Sequence, residues 1–413
     1  MRKRPSCPLE CEALEDRVTP ATLAWTGTVD GLWSHAGNWS TSDVTHPVPQ
    51  NGDAVVLPAG AVNRTQSDDL SLSLASLTFL DVGYSISGQQ ITLGNLSVTL
   101  SSPATGSDLI ANDLAFVVTA PSDTATMDLG QGNEVLTLSG NVVVAGAGTL
   151  SVVNNGVFAS TSALSISGTL TVQASATMDL QRDLTLLGTT AVYGTLHVGR
   201  RVDIATGATL VDAGAVDVFG QLYIAGLLDV AQSQNGAELT AGFNGLVVVE
   251  SGGELFAAGR VNVLNGELYD AGLTLIAASG ELFQQKGDAG SALAATVVAP
   301  GGQLYSAGLV YSVQYARLFV FGQMQVAAGS GLYVYDGELT VEAGGSLYAY
   351  GTVAIEPDTA FYDYGIFVLA HGGYLYDAGL FVVEQGGVFY DSGTFVAPGG
   401  IYYNFGQQVG YGG

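Results

Sequence analysis

The chain has 413 residues, of which 57 are glycine and 47% are hydrophobic, and its formal net charge is −26. Phosphate contacts require clustered Lys and Arg, so 11 basic residues against 37 acidic ones exclude nucleic acid as an expected partner. The two cysteines, Cys7 and Cys11, lie close to the N-terminus, so the body has neither a disulfide framework nor a thiolate metal site. The chain has no apolar run of about 18 residues, so no membrane-spanning helix is predicted.

Residues 1–22 form a polar segment that contains the run LECEALEDRVTPA. This run resembles the LE-x-LEDR-x-x-PA leader found near the N-terminus of many large planctomycete proteins. The matching residues are Leu9, Glu10, Leu14, Glu15, Asp16, Arg17, Pro20 and Ala21. The resemblance implies a leader for export and a secreted or cell-surface location. The alternative is a short amphipathic helix, in which Cys7, Leu14 and Val18 share one face.

Residues 23–60 contain all three tryptophans of the chain. They resemble the opening of autotransporter-like β-strand repeat proteins, which are common among secreted bacterial surface proteins. The matching residues are Trp25, Gly27, Trp33, Asn38, Trp39, Pro49, Gly52 and Asp53. Bulky aromatics can cover the unpaired backbone at the end of a solenoid, so we expect an N-terminal cap here. Stacking of Trp33 and Trp39 on sugar rings is the alternative.

Residues 61–413 are expected to form a repeat body that becomes more regular along the chain. The run LSLSLASLTFL alternates apolar and polar residues, which is typical of a strand with one buried face. The spacing between such runs is irregular up to about residue 165, so we predict wider, irregular coils in this N-terminal part. The most regular part is 255–405.

The last third of the chain repeats the unit Gly-Gly-x-Leu-Tyr-Asp-x-Gly, each copy followed by an apolar run. The leucine position is occupied by Leu347, Phe361, Leu375, Phe389 and Tyr402. The unit thus recurs about every 14 residues, and a fixed short period is typical of a solenoid, whose units bury their apolar faces against each other. Short apolar runs closed by glycine favour strands over helices. The predicted fold class is all-β, a parallel β-solenoid.

The length of the unit also predicts the shape of the coil. A three-sided coil needs about 20 residues, whereas a unit of about 14 residues accommodates two strands and two turns. We therefore predict narrow coils of two strands each, which rise by about 4.8 Å per coil.

Strand alternation places the residue after each inward leucine position on the outside. If successive units stack directly, these outward residues form a ladder along the body: Tyr348, Tyr362, Tyr376, Tyr390 and Tyr403. A ladder of rings stabilises the stack by about 0.5–1.5 kcal/mol per pair. The same rings would also form a surface strip for a carbohydrate or another cell-surface component, and both interpretations stay open.

Aspartates follow three of these tyrosines, and Asp363, Asp377 and Asp391 each begin an Asp-x-Gly triplet. The simplest interpretation is an Asx-turn with a glycine at positive φ. Directly stacked carboxylates about 5 Å apart would repel each other, and a calcium ion between them would relieve the repulsion because it takes several oxygen ligands. Calcium is therefore the one candidate cofactor, with these three aspartates as its candidate ligands.

Parallel β-helices also include polysaccharide lyases and pectin hydrolases, so an enzyme is the alternative from another function class. The hydrolase tripeptides Asn-Thr-Asp, Gly-His-Gly and Arg-Ile-Lys do not occur in the chain. The nearest candidate group is Arg200, Arg201 and Asp203 with Asp179 or Asp183. The pattern does not assign a catalytic residue.

The sequence thus predicts a non-enzymatic, exported, structural or adhesin-like β-solenoid with an acidic, tyrosine-lined surface. A carbohydrate-active β-helix enzyme and a calcium- or carbohydrate-binding module are the alternatives. The expected partner is a carbohydrate or a cell-surface component. The repeat runs almost to the end of the chain, so end-to-end self-association at an uncapped C-terminus is a further expectation.

Overall fold

The computed structural model describes residues 20–410 except 43–44, 94–97, 101–105, 119, 121–122, 131–134, 141, 232–236, 243–244 and 287–293. The described residues form a parallel β-solenoid in which three sheets run along the body, and their one helix is the short 3-10 helix Ala36–Asn38. The predicted class, an all-β parallel β-solenoid, is confirmed. Most of the predicted leader, residues 1–19, lies outside the described residues.

From Ala54 onward, each complete coil contributes one strand to each sheet, in the order A, B, C. Before that point, Thr22–Trp25 and Trp39–Ser40 also belong to sheet A and pair antiparallel with each other. Sheet A contains β1 Thr22–Trp25, β2 Trp39–Ser40, β3 Ala54–Leu57, β6 Ser76–Phe79, β9 Val98–Leu100, β12 Thr124–Asp128, β15 Thr149–Val153, β18 Thr169–Val172, β21 Thr189–Val192, β24 Thr209–Asp212, β27 Leu227–Val230, β30 Glu254–Ala257, β33 Leu273–Ile276, β36 Gln303–Ser306, β39 Gln323–Val326, β42 Ser346–Ala349, β45 Ile366–Leu369, β48 Val388–Asp391 and β51 Gln407–Gly410. Sheet B contains β4 Thr65–Asp68, β7 Ser85–Gly88, β10 Ser107–Ile110, β13 Val135–Leu138, β16 Val157–Ser160, β19 Thr177–Leu180, β22 Thr195–Val198, β25 Ala215–Val218, β28 Glu238–Ala241, β31 Arg260–Leu264, β34 Glu281–Gln285, β37 Leu309–Val313, β40 Gly331–Val334, β43 Thr352–Ile355, β46 Tyr374–Asp377 and β49 Thr394–Val396. Sheet C contains β5 Ser73–Leu74, β8 Ile91–Leu93, β11 Leu114–Val118, β14 Val142–Gly146, β17 Leu164–Ile166, β20 Leu184–Leu186, β23 Arg201–Ile204, β26 Gln221–Ile224, β29 Leu246–Val249, β32 Glu267–Asp270, β35 Ala295–Val298, β38 Arg317–Val320, β41 Glu338–Val341, β44 Ala360–Asp363, β47 Leu380–Val383 and β50 Ile401–Asn404.

The coil has three sides, so the prediction of two strands per coil is wrong. Phe361 of β44 pairs with Phe381 of β47 and not with Leu375, which occupies the same position in the next repeat unit. Each repeat unit holds one strand, a two-residue turn, a second strand and a four-residue turn. Each unit therefore covers two of the three sides of a coil, and the next unit begins on the third side.

Successive units consequently visit the sheets in rotation. Leu347 lies in sheet A, Phe361 in sheet C, Leu375 in sheet B and Phe389 in sheet A again. The pattern returns to the same sheet after three units, which is two complete coils. In each sheet, a strand with an outward tyrosine therefore alternates with a strand that carries a smaller residue there.

The coils in the N-terminal part are irregular in length, as expected, but wide coils are not confined to that part. In sheet B, the early partners Thr65 and Ser85 are separated by much the same length of chain as the later partners Thr177 and Thr195. The most widely spaced partners in sheet B occur both early, at Ser107 and Val135, and late, at Glu281 and Leu309. The additional residues lie between strands, so the three-sided cross-section is kept.

The core runs through the centre of the solenoid as one column of apolar side chains. Strand alternation sends every second residue inward, and Leu347, Phe361, Leu375 and Phe389 are all fully buried. The last coils replace leucine by phenylalanine. Phe361 there stacks on Phe381 with ring centroids 4.6 Å apart.

The three tryptophans pack together at the N-terminal end of the solenoid. Trp25 and Trp33 are fully buried and each contacts Trp39 edge to face, with centroids 4.9 and 5.5 Å apart. All three indole N–H groups donate hydrogen bonds, to Asn63 O, Gln66 Oε1 and Trp33 O. The buried rings contribute to the core and leave no exposed face for a sugar.

Candidate ligand-binding surface

The predicted tyrosine ladder does not exist as a single column. Tyr348 and Tyr390 lie in sheet A with Val368 between them, and Tyr362 and Tyr403 lie in sheet C with Val382 between them. Tyr376 lies in sheet B. The five residues do point outward, as alternation predicts, because none of them is buried. The prediction of one ladder was wrong because, in three-sided coils, successive repeat units begin on different faces of the solenoid.

Aromatic residues instead occur in pairs along the edge where the chain turns from sheet C to sheet A. From β38 onward, in every second coil, an outward aromatic in the strand of sheet C is followed two residues later by another at the turn. We call this row the aromatic edge, and its members are Phe319, Phe321, Tyr362, Tyr364, Tyr403 and Phe405. The turn residues are well exposed, from 37% for Phe321 to 65% for Phe405.

Backbone hydrogen bonds fix the members of the edge one above another. Each turn residue donates its N–H to the last strand carbonyl of the preceding coil, as Tyr364 does to Val341 O at 2.8 Å. Two of these pairs have their rings in contact within the coil. The centroids of Phe319 and Phe321 are 6.5 Å apart with the rings tilted by 33°, and those of Tyr403 and Phe405 are 6.0 Å apart with the rings stacked at 17°.

Carboxylates occupy the same turn position in the intervening coils. Glu342 N–H donates to Val320 O, and Glu384 N–H donates to Asp363 O, so both lie in the column of Phe321, Tyr364 and Phe405. Burial raises the pKa of the Tyr364 hydroxyl above its ordinary value, and the charges of Glu384 and Glu342 raise it further. Along this edge, aromatic pairs and carboxylates therefore alternate coil by coil.

The sequence pattern missed the turn residues of this edge. The available signal was the residue before the glycine of each two-residue turn, which is aromatic in Tyr364-Gly365 and Phe405-Gly406. That signal becomes meaningful only when the coil is known to have three sides, because only then do these residues share an edge.

A second aromatic column lies on sheet B, and its rings cover one another. Tyr311 stacks on Tyr333 with centroids 5.3 Å apart, and Phe283 packs against Tyr311 at 6.1 Å. The Arg260 guanidinium lies over the Phe283 ring at 5.1 Å. Because neighbouring side chains occupy the faces of these rings, the column stabilises the stack of coils rather than offering a free surface.

The candidate calcium ligands Asp363, Asp377 and Asp391 lie on sheets C, B and A respectively. The expectation that they stack directly is wrong, since Asp363 pairs with Val341 and Val383 in its sheet. No group of three or more His, Cys, Asp or Glu side chains suited to a metal ion occurs among the described residues.

The Asx-turn interpretation agrees with the hydrogen bonds. The N–H groups of Gly365 and Gly379 donate to Oδ1 of Asp363 and Asp377, both at 3.1 Å. The expected positive φ is wrong for these glycines, which are absent from the residues of positive φ in the described chain. The turn needs glycine for a different reason, because a Cβ on Gly365 would lie 2.4 Å from Glu342 O of the preceding coil.

Five aspartates at the ends of strands, including Asp363 and Asp377, each keep one carboxylate oxygen buried without a hydrogen-bond partner. The Oδ2 atoms concerned belong to Asp68, Asp212, Asp270, Asp363 and Asp377. Burial raises the pKa of Asp363, Asp212 and Asp270 to about 7, while the hydrogen bond from the turn N–H opposes the shift. The alternation of coils explains this environment, because aliphatic side chains flank Asp363 above and below.

The candidate enzyme group is divided between two sheets. Arg201 bonds Asp203 in the same strand of sheet C, with Nη2 and Oδ1 2.6 Å apart, and its guanidinium covers the Tyr223 ring at 4.1 Å. Arg200 pairs loosely with Asp183, with Nε and Oδ1 3.8 Å apart. Asp179 lies in sheet B, where it is in register with His197 and not with the arginines.

Comparisons with known proteins give no family for the chain. No family model and no curated protein matches it. Among solved structures, the crystal structure of a TibC-catalysed, hyper-glycosylated TibA fragment is similar to it, with 14% sequence identity and a TM-score of 0.23. The alignment covers 87% of this chain and 100% of that chain. A similarity at this level carries no argument, so the functional conclusions rest on the residues of the chain itself.

Proposed function

We propose that the chain is a non-enzymatic, exported, structural or adhesin-like protein whose solenoid binds a surface through its outer side chains. The observation that carries this proposal is the aromatic edge, where exposed rings and carboxylates recur on a rigid backbone over several coils. An apolar row of this kind on an exterior is typical of an interaction site. A solenoid extends such a row without needing a larger core.

Export is supported by the leader resemblance within residues 9–21. Among the described residues, no helix has the length and apolar character needed to span a membrane. Deletion of residues 9–21 is expected to move the protein from the medium or cell surface to the cell interior. Unchanged distribution in fractionated cells would contradict the role of the leader.

The non-enzymatic part of the proposal is supported by the ion pairs of the basic residues. Five of the seven arginines and lysines beyond residue 60 pair with a carboxylate: Arg64, Arg200, Arg201, Arg260 and Arg317. A lyase needs an unpaired base beside a carboxylate cluster, and a paired guanidinium is a poor base. The alternative, a carbohydrate-active enzyme, would be favoured only by turnover at the Arg201–Asp203 or His197–Asp217 pair.

One experiment tests both parts. Beads coated with the full chain are passed over surfaces that carry neutral or anionic polysaccharides, and bead retention under flow is measured together with soluble sugar products. We expect retention on at least one neutral surface and no reducing or unsaturated ends in solution. Product release would contradict the non-enzymatic role, and a lack of retention on every surface would contradict the adhesive role. End-to-end self-association stays a prediction, tested by sedimentation at increasing protein concentration.

A further inference from the structure

We infer that the aromatic edge binds a neutral, extended β-1,4-linked glycan that lies parallel to the solenoid axis. The inference rests on the proposed function and adds the class of ligand and the place where it binds. It follows from the spacing of the aromatic pairs, from the hydrogen-bonding groups between them, and from a comparison of the three edges.

The spacing of the aromatic pairs matches this glycan. Parallel coils rise by about 4.8 Å, so pairs in every second coil lie about 10 Å apart along the axis. In an extended β-1,4-linked glycan, each sugar is turned over relative to the last, so the same face returns at every second sugar. The disaccharide repeat is close to the two-coil repeat, and each pair can contact an equivalent sugar face.

The chemistry of the edge also fits a sugar. The C–H face of a pyranose ring is apolar, and aromatic side chains provide large apolar contact areas. Glu342 and Glu384 lie one coil above or below Tyr364. Their carboxylates are acceptors only and require a partner that donates hydrogen bonds, as the hydroxyls of the intervening sugars do.

Charge excludes the anionic polymers. The two carboxylates lie within a chain of net charge −26, and like charges this close repel a polyuronate along its whole length. The acidic edge therefore complements a ligand that supplies donors and carries no negative charge.

The edge between sheets C and A is distinguished by repetition. Its aromatic pairs recur three times at the two-coil interval, at Phe319–Phe321, Tyr362–Tyr364 and Tyr403–Phe405. On the edge between sheets A and B, Tyr348 and Tyr350 form such a pair, but the equivalent positions two coils on are Tyr390 and Ser392. On the edge between sheets B and C, Tyr333 and Tyr335 form such a pair, but the equivalent positions two coils on are Tyr376 and Ala378. A long polymer therefore has several equivalent contacts only along the aromatic edge, and repeated contacts add affinity.

The test is calorimetric titration of the full chain with neutral hexasaccharides of defined linkage. We expect cellohexaose to bind, with affinity that rises from the disaccharide to the hexasaccharide as further pairs are reached. The α-1,4-linked maltohexaose, whose curved chain does not keep the two-coil repeat, is expected to bind at least tenfold more weakly. Equal binding of both sugars would overturn the inference, and so would an absence of cellohexaose binding at millimolar concentration.

Alanine variants of two edges test whether the glycan binds at the aromatic edge. Y362A/Y364A removes the central pair and is expected to weaken cellohexaose binding at least tenfold, whereas Y362F/Y364F keeps the rings and the affinity. The matched control Y348A/Y350A removes the same residue types at the same spacing from another edge, and we expect its Kd to stay within twofold. Equal losses in the two alanine variants would overturn the assignment to this edge.

Thermal unfolding of each variant checks that the coils are intact. The inference and the proposed function fail in different ways. Beads that adhere to a surface although no β-1,4-linked sugar binds would overturn the inference and leave the adhesive role.

Discussion

The two regular parts of the solenoid, residues 142–231 and 294–410, share one interior and have different exteriors. In both parts three strands per coil send leucine, valine or isoleucine inward, as Leu196 and Leu375 do on sheet B. The outward neighbour of Leu196 is His197, which pairs with Asp217, whereas that of Leu375 is Tyr376. Of the 19 tyrosines, 17 lie at or beyond Tyr223. The inward positions set the coil, and the outward positions are free to carry a surface.

The turns differ as well. In 142–231, two-residue turns predominate and follow no strict alternation, whereas in the coils after residue 346 two- and four-residue turns alternate. Three corners per coil is an odd number, so alternation brings a long turn to any given corner only in every second coil. This mismatch creates the two-coil surface repeat, which the earlier part of the chain lacks.

The largest expected effect is the loss of the shared interior. L375D and L196D each place an unpaired charge in the core column, so we expect each to lower the free energy of unfolding by about 4 kcal/mol or more. The outward substitution Y376D is the control, with an expected cost below about 1 kcal/mol. Chemical denaturation of the three variants measures the difference. Similar losses in Y376D and L375D would contradict the inward and outward assignment.

This shared interior is the part that the sequence could predict. Alternation and glycine-bounded apolar runs are local signals, and they sufficed for the strands, the parallel solenoid and the buried leucine positions. The predicted number of sides per coil was wrong because the period of a sequence gives the length of the repeat unit, and one coil need not contain a whole number of units. Here the repeat unit fills two sides of a three-sided coil.

The prediction of the candidate site also depended on the number of strands per coil. Whether Tyr362 lies above Tyr348 or above Thr340 is a question of register, and it changes with the number of strands per coil. The individual outward residues were therefore predictable, whereas their neighbours were not. The expected stacking of the candidate calcium ligands was wrong for the same reason, since Asp363 and Asp377 would be adjacent only in a two-sided coil.

The second-largest effect concerns the two kinds of turn. Ala at Gly365, in a two-residue turn, would meet the carbonyl of Glu342 at 2.4 Å, whereas Gly386, in a four-residue turn, has a φ of +99° and open space around it. We expect G365A to cost about 3 kcal/mol by overpacking against rigid backbone. The strain in G386A is expected to cost about 1 kcal/mol. Equal losses of stability in thermal unfolding would contradict the distinction between contact and strain.

A smaller effect comes from the inward aspartates. Burial raises the pKa of Asp363 to about 7 from an ordinary value of 3.8, so between these values the folded chain binds more protons than the unfolded chain. The stability contribution of this group is therefore fully present below about pH 4 and declines until about pH 7. We expect D363N to raise the free energy of unfolding at pH 8 by about 2 kcal/mol and to flatten this decline. Denaturation of both proteins between pH 5 and pH 8 checks it, and an unchanged slope in D363N would assign the pH dependence to other groups.

D203N is the matched control for D363N, because it makes the same substitution at an outward residue of the same sheet. Asp203 is paired with Arg201 on the surface of sheet C and resides in the earlier region. An exposed pair contributes about 0–1 kcal/mol, so we expect D203N to change the free energy of unfolding by less than about 1 kcal/mol. A slope that flattened equally in both variants would argue against burial as the cause.

The smallest expected effect is that of calcium. A specific site filled at 100 times its Kd would stabilise the fold by about 2.7 kcal/mol, and a site that joined adjacent coils would be confined to the C-terminal region. Because Asp363, Asp377 and Asp391 lie on three different sheets, we expect the Tm to be the same with calcium and with chelator at matched ionic strength. The triple variant D363N/D377N/D391N should behave alike in both conditions. A calcium-dependent rise in the Tm that disappears in the triple variant would restore these residues as ligands and would require coils that rearrange to bring them together.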